Sequence, residues 1–191
     1  MNSISQFIVI HFEIQDSTQF EGWVKLHQMD LSYTHEPGRR VMALSGTRGL
    51  HLYLRTLEAA VEDEIVTDDE MSILRVIARA FALPEDVMGD AWDILRNHVV
   101  NPINPTDVHA HEKRQIGDAT TYQTALIAAL VDEVITEDEW SMLDVMRRVM
   151  GIQSGEHALI EEAVRAMASS VEGGESFVSR LDRYVSLHPY R

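Results

Sequence analysis

The chain has 191 residues, with 31 Asp and Glu against 16 Lys and Arg, a formal net charge of −15 at pH 7, and no cysteine. The length suits one domain, or a domain with an appendage, and is enough to bury one sizeable core. The charge argues against a nucleic-acid partner and an anionic membrane surface and favours a positive ion or partner, while the lack of cysteine excludes disulfides, thiolate metal sites and a Cys nucleophile.

Met1 to Asp16 has no basic leader, and Glu13 interrupts its short apolar run, so a secretory signal is not expected. No stretch approaches the roughly 20 apolar residues that span a bilayer. The expectation is a cytoplasmic protein with no direct membrane insertion. Ile8, Ile10, Phe12 and Ile14 alternate with Val9, His11 and Glu13, a period of two that predicts a strand. Val24 to Leu31 reads as a short helix, His35-Glu36-Pro37-Gly38 as a turn and Val41 to Leu44 as a second short strand. Residues 1–48 therefore read as an N-terminal appendage, with its boundary near Gly46 to Gly49. A small appendage strand needs a pairing partner. Ile8, Ile10 and Phe12 are accordingly candidate partner-binding residues, pairing within the appendage, with a second copy in a homo-oligomer, or with another protein by strand addition.

From Leu50 the period becomes helical. Leu54, Leu57, Val61 and Ile65 recur at three- and four-residue steps, and a second helix from Thr67 carries Met71, Leu74, Ile77, Ala78 and Phe81 on one face. Pro84 suits the first turn of a third helix running to about Val99. Asn101-Pro102-Ile103-Asn104-Pro105 is a loop, since residues before proline are pushed out of the helical region. Further helices are predicted at Asp118 to Val134, Thr136 to Met150, Ser154 to Ser169 and Glu175 to Leu187.

The second half repeats the first at an offset of 69. Glu62-Asp63-Glu64-Ile65-Val66-Thr67-Asp68-Asp69-Glu70 aligns without a gap on Val131-Asp132-Glu133-Val134-Ile135-Thr136-Glu137-Asp138-Glu139, and Leu74, Val76 and Arg79 fall on Leu143, Val145 and Arg148. Two copies are too few for a solenoid. The prediction is a mainly α helical bundle of two duplicated halves, with the repeat spanning 54–100 and 123–169 inside a domain of 49–191.

Each copy contains Asp-x-x-(Ile/Val)-Thr-x-x-Glu. Thr67 with Glu70, and Thr136 with Glu139, have the spacing of a capping box, and Val66 and Ile135 sit where a hydrophobic staple belongs. Capping leaves Asp63 and Asp132 unexplained, because each falls in the last turn of the preceding helix, where the macrodipole disfavours an anion. Glu58 to Glu70 holds seven acids and Asp132 to Asp144 holds six, with no Lys or Arg in either span. Solvent and salt, an Arg such as Arg79 or Arg148, or a hard divalent cation would offset that repulsion. Oxygen ligands alone suit Ca²⁺, Mg²⁺ or Mn²⁺. The frame is not an EF-hand: counted from Glu62, position 6 is Thr67 and position 12 is Ile73, where Gly and Glu are needed.

These two turns resemble those of the tellurite-resistance TerB-like domains, which carry Asp-Gly-x-(Ile/Val)-(Ser/Thr)-x-x-Glu in each of two helical halves. The resemblance covers about Leu50 to Leu187, and it departs at the glycine, which is Glu64 in one turn and Glu133 in the other. It implies an all-helical, non-catalytic stress-response or scaffold module with Asp63, Glu70, Asp132 and Glu139 as candidate ligands of a divalent cation or contacts for a basic partner surface. A structural subunit that docks through its N-terminal segment, without metal, is the alternative.

Other constellations are weaker. His109 and His111, with His98, Asp107 and Glu112 nearby, have the residue types for Zn²⁺, but such histidines in a polar loop are more often solvated. There is no Gly-x-Ser-x-Gly elbow, no Gly-x-Gly-x-x-Gly and no Walker A sequence, so no catalytic residue is assigned. Trp140, Met142, Met146 and Met150 are expected in the core.

Overall fold

The computed structural model describes residues 44–61, 65–131, 134–170 and 174–189. The predicted strand with Ile8, Ile10 and Phe12, and the turn acids Asp63 and Asp132, lie outside them. The described residues form a mainly α bundle of eight helices with no strand. In chain order these are α1 (Arg48–Ala60), α2 (Asp68–Ala80), α3 (Val87–Leu95), a short α4 (Val108–His111), α5 (Asp118–Ala129), α6 (Glu137–Val149), α7 (Ser154–Ala168) and α8 (Gly174–Leu187).

Local chemistry sets the helix ends. Thr47 caps α1 by accepting the Leu50 N–H at 3.3 Å. Gly49 lies inside α1, where an added Cβ would fall 2.4 Å from the Cβ of Phe81, so the missing side chain lets α1 meet the end of α2. That explains a glycine which, in sequence, reads as part of a linker. After α2, Ala82 takes a positive φ of 49°, and after α6, Gly151 takes 66°. The next N–H folds back in both cases, Leu83 to the Ala78 carbonyl at 2.8 Å and Ile152 to that of Arg147 at 2.9 Å. The offset of 69 thus survives in backbone geometry where the residue type has changed. Several predicted ends differ. α1 stops at Ala60, short of Ile65, and α5 stops at Ala129, short of Val134. α3 stops at Leu95 because Asn97 adopts a φ of 59° and the His98 N–H returns to the Asp93 carbonyl at 2.8 Å. Pro84 stands in the turn before α3, and Asp86 is the cap residue.

The helices pack crosswise. α1 lies mainly on α6 and α2 on α5, and these are equivalent pairs under the duplication. The α1–α3 and α5–α7 contacts are likewise equivalent, and α2 meets its own counterpart α6. This is the pattern of an approximate two-fold relation between the units α1–α3 and α5–α7. The shared core contains Leu50, Leu57, Ile73 and Ile77 from the first unit and Leu126, Met142, Leu143 and Met146 from the second, all fully buried. The methionine stripe is therefore core, as its spacing predicts. α8 has no counterpart and packs on α7.

One ion pair fastens the start of α1 to the start of α5. The Arg48 guanidinium donates to both Asp118 carboxylate oxygens at 2.9 Å, and its Nε donates to the His111 carbonyl at 2.7 Å. Asp118 also accepts the Gln115 N–H at 2.6 Å, and both charged residues are buried. Removing one partner of such a pair leaves a buried charge without compensation, which is more damaging than replacing both by apolar groups. Asp118→Ala is expected to destabilise by about 3 kcal/mol or more, and Arg48→Met with Asp118→Leu by clearly less. Urea unfolding checks this through the midpoint at constant m.

Candidate functional site

Both capping boxes form. The Thr67 N–H donates to Glu70 Oε2 at 2.7 Å, and the Glu70 N–H donates to Thr67 Oγ1 at 3.3 Å. The second copy repeats this at 2.8 and 3.2 Å with Thr136 and Glu139. Val66 and Ile135 are half-buried against the core beside their caps. Asp68, Asp69 and Glu70, and likewise Glu137, Asp138 and Glu139, occupy the first turns of α2 and α6, where the macrodipole stabilises negative charge. Six of the thirteen acids in the two spans are thus in favourable positions. The preceding helices end at Ala60 and Ala129, before Asp63 and Asp132, which lie outside the described residues, so the expected placement of these two acids in a last helical turn is not met by the described helices.

Glu70 and Glu139 are 2% and 1% exposed, and each carboxylate closes its own cap. Among the described residues no three His, Asp or Glu side chains cluster to hold a metal ion. Arg148 bonds Asp144 Oδ2 at 2.9 Å within α6, so its charge serves that helix rather than the turn. In both turns an apolar residue stands outward at equivalent positions, Ile65 at 57% exposure and Val134 at 49%.

The histidines on either side of the proline loop divide. His98 and His109 are exposed. His111 is half-buried and stacks on His51 of α1, with ring centroids 5.6 Å apart. His51 Nε2 lies 3.3 Å from Glu112 Oε1, and burial nevertheless pushes its pKa down. This cluster helps fasten α4 to α1, a contact hidden in a sequence that shows a polar loop.

The second unit contains a cavity of about 210 Å³ between α5, α6, α7 and the end of α8. Tyr122, Trp140, His157 and Tyr184 line it with their rings. Trp140 stacks on His188 with centroids 4.7 Å apart, and Tyr122 tilts against His157 at 5.6 Å. Trp140 is thus half-buried beside a cavity rather than sealed in the core. Asp144 and Arg147 pair at 2.8 Å at the same opening. Tyr122 and Tyr184 share a hydrogen bond, which works against the burial that lifts the Tyr184 hydroxyl to about 12. His157 Nε2 lies 2.9 Å from Glu161 Oε1. Burial, aided by the Arg147 charge, still lowers His157 to about 4, and burial raises Glu161. At neutral pH the cavity therefore holds the neutral His157 imidazole, the neutral Tyr184 phenol and the Asp144–Arg147 ion pair.

Sequence reading misses this site, because Trp140 reads as core, Tyr122 is not singled out and His157 is one scattered histidine among nine. The available signal was the comparison of copies: Met71, Arg75 and Met88 of the first fall on Trp140, Asp144 and His157 of the second. No protein family, curated protein or solved structure matches the chain. The TerB resemblance accordingly rests on the two turns and their spacing.

The His157 shift has a sign. Above its unfolded value of 6.5 both states are neutral, and the folded state suffers no penalty. As pH falls from 6.5 towards 4, the unfolded chain takes up a proton that the folded chain does not, and stability declines. Glu161, raised in the fold, contributes the opposite slope. Between about pH 7 and about pH 5, wild type is expected to lose about 1–2 kcal/mol more unfolding free energy than His157→Met. Denaturant titrations at the two pH values measure the difference.

Proposed function

We propose that the protein is a non-catalytic TerB-like module, acting in stress response or as a scaffold, whose paired acidic turns bind a divalent cation or a basic partner surface. The observation that carries this reading is the repetition of one capped acidic turn in two equivalent places. The caps fix the starts of α2 and α6, and in the sequence Asp63 and Asp132 precede the caps by four residues in both copies. The net charge of −15 raises the local concentration of any positive partner. The exposed Ile65 and Val134 favour a protein partner over a bare ion, since an apolar side chain among carboxylates contributes to a protein contact and nothing to ion coordination. Among the described residues no helix is long and apolar enough to cross a membrane.

Calorimetric titration of the metal-free protein with Ca²⁺, Mg²⁺ and Mn²⁺, and separately with a lysine-rich peptide containing leucine, tests the reading. Binding by at least one is expected, with a raised melting temperature by mass action. Asp63→Asn with Asp132→Asn is expected to abolish it. Ile65→Ser with Val134→Ser should weaken the peptide alone. Silence with all three ions and the peptide, at an unchanged melting temperature, contradicts the proposal.

A further inference from the structure

α4 is held by few contacts, and most of them are polar. It packs mainly on α1, contains no fully buried side chain, and offers the core only the half-buried Val108. Arg48 of α1 donates to the His111 and Lys113 carbonyls at 2.7 and 3.3 Å. The remaining contact is the stack of His51 on His111 and the approach of His51 Nε2 to Glu112 Oε1. Closure also has a cost, since His111 Nε2 is enclosed without a hydrogen-bond partner among the described residues. An element with so little buried apolar contact lies at the low-stability end of a fold. Its boundaries suit separate movement: Pro105 stands before it, and after it Arg114 is anchored on Asp118 at 3.2 Å.

We propose that this contact is an acid-released clasp: taking up a proton at His51 detaches residues 106–113 from α1 while the helices of the shared core stay packed. The charges give the direction. His51 is 5% exposed, so an imidazolium there lacks the water that the open form restores. Burial holds His51 below its ordinary 6.5; Glu112 works against this by hydrogen bond and by charge, and His111 from α4 and Arg55 from α1 add to it. Arg48 is neutralised by Asp118 at 2.9 Å. Above 6.5 the ring is neutral in both forms and closure is unaffected. As pH falls below 6.5, the open form takes up a proton that the closed form resists, and opening grows. Release uncovers His51 and frees the Arg48 donors held by the two carbonyls, while Asp118 keeps the guanidinium in place. The inference is independent of the acidic turns and of the aromatic cavity.

Hydrogen exchange of the full-length protein between pH 7 and pH 5, corrected for intrinsic rates, tests the clasp. The probes are the Ala110, His111 and Glu112 amides, which donate to the Asp107 and Val108 carbonyls within α4. A helix of four residues does not persist alone in water, so these bonds report detachment. Their opening constant is expected to rise about threefold or more on acidification, and the His51 ring resonances to titrate below 6.5. Amides of α2 and α5 should keep a larger opening free energy throughout. His51→Phe retains a stacking ring and should flatten the pH response. Glu112→Gln removes the charge that opposes release and should enlarge it. His157→Met should leave it unchanged. No rise in the wild type, an equal rise in His51→Phe, a smaller rise in Glu112→Gln, or α4 amides that open only together with α2 and α5 would each overturn the proposal.

Discussion

Neither helical hairpin covers its own apolar face, and the rest of the molecule answers to that constraint. α1 and α2 are 13 residues each, short enough to be marginal alone in water. Leu57, Ile73 and Ile77 are nevertheless at 0% exposure, because α6 and α5 lie across them. The second hairpin gains the same cover from the first. A duplicated unit that cannot bury its face alone is stabilised by its copy, and here the exchange is reciprocal: α1 on α6, α2 on α5, α2 against α6.

Reciprocity sets which positions are free to change. Residues facing the shared core stay apolar in both copies, as Ile73 and Met142, or Ile77 and Met146, do. The caps stay as well, since Thr67 and Thr136 each start a helix that the other copy needs. Away from the shared seam the copies part. The buried Arg48–Asp118 pair has no symmetric twin, because Gly117 stands where the first copy has Arg48. The cavity beside Tyr122 is lined by residues that, Tyr122 apart, differ from their first-copy equivalents, and it is completed by α8, whose Arg180 also donates to the Val131 carbonyl at 2.9 Å. The acidic turns are thus common to both halves, whereas most of the residues lining the aromatic cavity are not.

Local features were legible in the sequence, and long-range ones were not. The helical period of Leu54, Leu57 and Val61, the Thr-x-x-Glu caps and the gapless repeat all depend on neighbours within a few residues, and they reappear in the structure. Asn97 ending α3 early turns on one left-handed backbone conformation that a periodic pattern does not encode. The Arg48–Asp118 pair joins residues 70 apart, and the stack of His51 on His111 joins residues 60 apart, so no local signal marks either. Of the candidate ligands, Glu70 and Glu139 proved to be buried cap residues as well. The exposure of Ile65 and Val134 runs against their apolar character, which placed Ile65 on the buried face of its helix.

The dependence of each half on the other is tested most directly by native-state hydrogen exchange on the full chain. Slowest-exchanging amides in α1, α2, α5 and α6 are expected to report one common opening free energy and to shift together with denaturant. If α1–α2 and α5–α6 instead opened at separate free energies, the two halves would be independent hairpins, and a shared core would be contradicted.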